Sequence, residues 1–223
     1  MRETFLAFLK KKYSIRAKSS GLDYDKLKRW ISICNDKKTV LISIDLEVFE
    51  RSHSSCTEFG IAIYDPINQK NSPFPDIINL HFLIKENIKL YNTQYVPNNK
   101  HRFINGVSYV VDNNSIKLIL DTIVNYYQGF TNIAFVGHHF SSDQAFISKS
   151  FKFSIDSDKY DIIDTSSIWQ MTATGKNALK SKLSYVLYKL GIPGVYLHNG
   201  ANDAYYTLIA ALKLCDPELR INK

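Results

Sequence analysis

Cysteine is scarce: Cys34, Cys56 and Cys215 are the only three, they lie far apart, and no CxxC pair occurs. That excludes a disulfide framework and a thiolate zinc knuckle, and it points to a reducing compartment. No apolar run approaches the roughly 18 residues that a membrane-crossing helix needs. A small-residue secretory cleavage pattern is missing, so an intracellular protein is expected, nuclear, cytoplasmic or mitochondrial rather than secreted. Internal repeats and low-complexity tracts are absent as well. At 223 residues, 45% hydrophobic and 22% charged, the chain suits one globular domain with an appendage.

Acidic residues are lacking in one place. The chain holds 28 basic and 21 acidic residues for a net +7, yet residues 1–38 alone hold 11 and 4 of them. From Thr39 onward the two signs balance at 17 each. A basic excess confined to one segment, with Lys10, Lys11, Lys12, Arg16 and Lys18 at its centre, suits contact with a polyanion. The interleaved aromatics Phe5, Phe8, Tyr13, Tyr24 and Trp30 read first as a core-facing stripe and second as a stacking surface for bases. Helical spacing predicts helices over Glu3 to Lys12 and Asp23 to Cys34. The expected organisation is a basic helical extension over 1–38, a domain over 39–215 and a tail over 216–223.

Beyond residue 38 the pattern changes to strands. The runs TVLISIDLEVF, CTEFGIAIYD and DIINLHFLIK predict a three-stranded antiparallel meander. After a loop over Asn87 to Asn105 come a helix from Ser115 to Tyr127, the apolar strand NIAFVG, and a helix near Asp143 to Ser150. The short strand YDIIDT follows, then helices near Ala178 to Leu190 and Ala201 to Leu214, separated by the breaks of LGIPG. This is the pattern of an α/β protein with a mixed sheet flanked by helices.

The first strand carries the sharpest chemistry. Side chains alternate along a strand, so Asp45 and Glu47 share one face while Val40, Ile42, Ile44 and Leu46 take the other. Two carboxylates on one face repel each other unless a cation bridges them, and oxygen ligands of this kind suit Mg²⁺ or Mn²⁺. A D-x-E triplet alone is weak. Asp143 follows Gly137 and His138 at the start of a helix, and His198 precedes Asp203 by five residues where another helix begins. That last spacing lets an imidazole and a carboxylate face one small volume. The adjacent His138 and His139 lack a third soft ligand nearby in sequence, so they argue against zinc.

Asp45 with Glu47, Asp143, and His198 with Asp203 together resemble the three-part signature of the DEDDh (DnaQ-like) exonucleases, which belong to the ribonuclease H-like superfamily. Glu58, Phe59 and Gly60 are similar to that family's E-I-G step, and Asp164 with Thr165 to its D-T step. The segments YVPNNKHRFINGVS and LHNGANDAYYTL resemble a fungal branch of the family, with Gly200 and Ala201 in exchanged order. The resemblance implies a ribonuclease H-like fold, in which a three-stranded antiparallel meander joins parallel strands. It implies two divalent ions held by Asp45, Glu47, Asp143 and Asp203, with His198 as general base. The implied reaction is 3′–5′ hydrolysis of single-stranded RNA or DNA to nucleoside 5′-monophosphates, RNA favoured. Val48 stands where many members have a nucleotide-contacting Thr, and His139 where Asn is frequent, so both join the basic residues as candidate nucleic-acid contacts. The fungal branch also implies an RNA helicase of messenger RNA export as a partner. The competing class is an inactive nuclease fold kept as an adaptor for RNA or that helicase. The complete set of four acids and a histidine favours the enzyme, since a retired site has no chemical need for so costly a cluster.

Overall fold

The computed structural model describes residues 22–69, 75–173 and 179–216. The predicted helix over 3–12 and Lys10, Lys11, Lys12, Arg16 and Lys18 lie outside them, as do residues 217–223. Helix α1 (Leu22–Asn35) leads into β1 (Thr39–Phe49), β2 (Ser52–Tyr64) and β3 (Ile77–Ile84), followed by a short 3₁₀ turn at Lys85–Asn87. Then come β4 (Ser108–Val111), α2 (Ser115–Gln128), β5 (Asn132–Gly137) and α3 (Ser141–Phe146), which continues into a π turn at Ile147–Phe151. The chain finishes with β6 (Asp161–Asp164), α4 (Thr165–Thr172), α5 (Leu183–Leu190) and α6 (Gly200–Cys215). No helix among the described residues is long and apolar enough to cross a membrane.

One six-stranded sheet has the order β4-β3-β2-β1-β5-β6. β1, β2 and β3 pair antiparallel, as the sequence predicts, and β4, β5 and β6 join parallel to their neighbours. Helices cover both faces, so β1 is buried on both sides over Thr39 to Ile44 and reads as a nearly continuous apolar run. Val40, Ile42 and Ile44 pack with Ile61, Phe135 and the α2 residues Ile116 and Leu120. Leu41, Ala62, Ala134 and Val136 face the other layer, built from α1, α4, α5 and α6.

Helix α1 belongs to that second layer. Leu27, Trp30 and Ile31 are at most 2% exposed, which makes Trp30 a core residue rather than a stacking surface. Helix α4 is absent from the sequence expectation, and two further helices differ from it in extent. α5 starts at Leu183, because Ser181 and Lys180 just before it are held outside the helix by bonds to His138 and Trp169. α3 is helical only to Phe146 before the π turn, which Lys152 closes in the left-handed region. The four-residue edge strand β4 lies in the β-branched and aromatic run VSYVV, absent from the sequence expectation, and pairs with His81 to Ile84 of β3.

Candidate active site

The α6-facing side of the sheet turns polar where β1 and β2 leave the apolar core. Asp45 pairs with Gly60, and Glu47 pairs with Glu58, so these four share one face. A bulge follows Glu47 and re-aims the strand at Val48, which is half-buried and accepts a bond from Asn92 through its carbonyl at 2.8 Å.

Helix α6 meets this face at very close range. A Cβ built on Gly60 would stand 2.2 Å from the carbonyl carbon and oxygen of Gly200, so only glycine fits there. One built on Gly200 would come within 3.2 Å of the Asp45 carbonyl oxygen. The first turn of α6 therefore rests directly on the strand pair, and Asp203 is delivered against Asp45. Asn199 caps the helix by accepting the Asn202 amide at 3.1 Å, while the Asp203 Oδ2 atom accepts the His198 amide at 3.0 Å. His198 sits in the left-handed region, with φ of 64°, and its Nδ1 lies 3.9 Å from Glu47 Oε1. Asp143 enters from the first turn of α3.

The electrostatics show how tightly these acids converge. Burial, then the charges of Asp203, Asp143, Glu47 and Glu58, push the Asp45 carboxyl well above the usual range. Glu47 is raised by burial and then by Asp203, Glu58 and Asp143. Asp143 is pushed up to about 7 by burial and then by Asp164. Asp203 also reaches about 7, raised by burial and by Glu58 against the lowering effect of the His198 amide. The His198 imidazole is lowered by partial burial and then by the nearby Lys182 ammonium, which keeps it neutral at physiological pH.

Asp203 Oδ1 is buried with no hydrogen-bond partner among the described residues, a costly state for a carboxylate oxygen. Donor atoms of Glu47, His198 and Asp203 lie within 4.8 Å of one another. An orphaned oxygen among crowded carboxylates is the donor set that a hard divalent cation takes, so the residues fit such an ion. The sequence-level candidates Asp45, Glu47, Asp143, His198 and Asp203 thus come together.

His139 is engaged elsewhere. Its ring nitrogens lie 3.2 Å from the hydroxyls of Ser166 and Ser181, and its amide bonds to Asp164. His138 bonds to the Thr165 hydroxyl at 2.8 Å and to the Ser181 carbonyl, and burial lowers its pKa. Asp164 caps α4 by accepting the amides of Ser166 and Ser167. These residues anchor the turn that presents Asp143.

A buried network behind the acids was missed in the sequence. His81 is fully buried, with Nε2 at 3.0 Å from Glu58 Oε2 and Nδ1 at 2.7 Å from the Ser108 hydroxyl. Glu58 Oε2 also accepts the Gly200 amide at 3.3 Å, which links this network to the start of α6. Its sequence signal is a pair of polar residues, Asn79 and His81, on one face of NLHFLI.

A family model described as DEDDh, DNA polymerase III subunit epsilon-like, C-terminal domain, matches residues 40–214. The chain is similar to the protein named Good for full DBP5 activity protein 2 of Saccharomyces cerevisiae. The two are 29% identical over 233 residues, which cover 92% of this chain and 40% of that protein. It is also similar to the uncharacterized protein YDR514C of the same yeast, 30% identical over 224 residues, covering 90% and 46%. The chain therefore spans less than half the length of either curated relative. Among solved structures it is similar to exonuclease I, with a TM-score of 0.49 and 11% identity over 82% of this chain and 42% of that one. The Escherichia coli exonuclease I complex with a dT13 oligonucleotide gives a TM-score of 0.49 at 10% identity over the same shares.

Proposed function

Because the chain belongs to the DEDDh family of DNA polymerase III subunit epsilon-like proteins, we propose that it is a metal-dependent 3′–5′ exonuclease of single-stranded nucleic acid. The observation that carries this reading is the convergence of Asp45, Glu47, Asp143 and Asp203, with one Asp203 oxygen buried and unpartnered. The preference for RNA over DNA is part of this proposal and turns on contacts with the 2′-hydroxyl.

Asp45, Glu47, Asp143 and Asp203 would hold two divalent cations, Mg²⁺ or Mn²⁺, which when bound neutralise charge at the phosphodiester and acidify a water. Holding the acids is the work of the fold. Strand β1 fixes Asp45 and Glu47, α3 fixes Asp143, and the Gly60–Gly200 crossing fixes Asp203. His198 turns Nδ1 toward Glu47, which leaves Nε2 to take the proton from the attacking water. Its lowered proton affinity keeps that nitrogen free to accept at neutral pH. The Asp203 carboxylate orients His198 through the backbone amide at 3.0 Å. The products are nucleoside 5′-monophosphates.

Replacing His198 with Ala separates base from ligand. The His198→Ala protein is expected to release mononucleotides roughly 10² to 10⁴ times more slowly while keeping its thermal stabilisation by Mg²⁺. A parallel loss of that stabilisation would make His198 a metal ligand, and unchanged release would remove it from the chemistry.

A further inference from the structure

The stretch between the 3₁₀ turn and β4 bridges the two halves of the acidic cluster. At one end it is fastened to β1 just beyond Glu47. Glu50 accepts the amides of Thr93, Gln94 and Tyr95 at 3.1 to 3.2 Å, and Asn92 bonds to both the Glu50 amide and the Val48 carbonyl at 2.8 Å. At the other end it is fastened to the segment that carries His198 and Asp203. Asn99 donates to the Leu197 carbonyl at 2.6 Å, and Asn202 donates to the carbonyls of Arg102 and Tyr196 at 3.0 and 3.1 Å. The Asn202 side-chain oxygen accepts the Ile104 amide at 3.2 Å. Bolted at both ends, this loop is a rigid ledge beside the acids.

Its outer surface carries exposed rings and basic groups. The Arg102 guanidinium lies 5.0 Å from the centre of the Tyr196 ring, and both side chains are exposed. No carboxylate forms an ion pair with Arg102 among the described residues. Tyr91 and His101 form a second exposed ring pair at 6.2 Å, and Tyr95 is 75% exposed. Lys100 is different: it is buried, its ammonium bonds to the carbonyls of Leu90 and Ile88, and it serves to hold the ledge. Exposed rings next to a free guanidinium match a flat base joined to a phosphate, because every base offers a π-face and guanidinium offers paired N–H donors.

We propose that the Arg102–Tyr196 stack, two residues before His198, is a nucleotide clamp for single-stranded nucleic acid entering the site. A base stacks on the pair and the adjoining phosphate takes the guanidinium donors. Tyr91, His101 and Tyr95 extend the track along the ledge. The clamp deepens the nuclease reading by assigning its substrate contact, but binding is measured apart from cleavage.

The test uses the full chain with fluorescently labelled oligo(U) and oligo(dT). Anisotropy in EDTA gives Kd, and steady-state hydrolysis with Mn²⁺ gives KM and kcat. Arg102→Gln and Tyr196→Leu are each expected to raise Kd roughly tenfold, with the kinetic loss concentrated in KM. Arg102→Gln also flattens the slope of log affinity against log salt by about 0.7. Tyr196→Phe keeps the ring and restores binding, and all three variants keep the Mg²⁺-induced rise in Tm. Unchanged Kd on both strands in Arg102→Gln and Tyr196→Leu overturns the clamp, as does an equal loss in Tyr196→Phe. If no strand is hydrolysed, the nuclease reading fails, while the anisotropy arm still decides the clamp.

Discussion

Four carboxylates brought into one small volume repel one another and give up hydration, so their protonation is tied to folding. Asp143 and Asp203 titrate near 7 in the folded chain, against about 4 in an unfolded one. Both values are raised, so the stability these groups contribute is fully present below about pH 4 and is lost as pH climbs through 7. A divalent ion competes with those protons and offsets the repulsion. The rise in Tm on adding Mg²⁺ is therefore expected to be larger at pH 8 than at pH 6, as differential scanning calorimetry would read. An equal rise at both would contradict the assigned ligand set. Asp45→Asn removes the acid that faces the most neighbouring charge, so the metal-free Tm is expected to go up and the response to Mg²⁺ to disappear. A metal-free Tm that falls would show that Asp45 is not under electrostatic load. The five candidate residues were legible because Asp45 and Glu47 alternate along one strand, while Asp143, His198 and Asp203 sit in or just before the first turn of a helix. The bonds of His81 to Glu58, Asn99 to Leu197 and Asn202 to Arg102 were not, because those partners lie 23 to 100 residues away and only the folded chain joins them.

Elements matter here through where they touch. The β2–α6 crossing works because Gly60 and Gly200 carry no side chain, and Gly60 pairs with Asp45. Gly60→Ala would drive a methyl group into the Gly200 backbone, pushing α6 and Asp203 away from β1. Its expected cost is more than ~3 kcal/mol, measured by denaturant unfolding, with loss of hydrolysis. Gly129→Ala is the control, since its added Cβ meets nothing closer than the Tyr126 carbonyl at 3.5 Å, and it should stay within about 0.5 kcal/mol. Similar values for the two variants would refute the close approach as the device that delivers Asp203. Apolar periodicity revealed β1, β2, β3, β5, α2 and α6. It overran the start of α5, where Ser181 is committed to His138, and it missed α4, the π turn and β4, the last because a four-residue edge strand is too short to show alternation even though Tyr109, Val110 and Val111 favour strands.

Across the whole molecule, charge and core divide the N-terminal segment. Helix α1 is integrated into the fold: Trp30 and Ile31 pack in the core, Arg29 pairs with Asp161 of β6, and the Lys26 ammonium lies 4.8 Å from the Trp30 ring centre. The basic residues Lys10, Lys11, Lys12, Arg16 and Lys18 precede this helix. We propose that they hold the phosphate backbone upstream of the cleaved end, without regard to sequence. Deleting residues 1–20 is then expected to weaken single-strand binding and flatten its salt dependence. Unaltered affinity would remove the segment from substrate binding. The mixed sheet flanked by helices and the core-facing stripe of Leu27, Trp30 and Ile31 could both be read from the sequence, whereas the layer that α1 joins could not, because its partners on α4, α5 and α6 lie far along the chain.

The most direct measurement is hydrolysis of separately 3′-labelled and 5′-labelled single-stranded RNA and DNA, with Mg²⁺, Mn²⁺ or EDTA, beside the Asp203→Asn protein. The account predicts stepwise loss from the 3′ end that needs metal, favours RNA and drops by about three orders of magnitude in the variant. Binding without cleavage under every metal condition, or cleavage indifferent to Asp203, would contradict it.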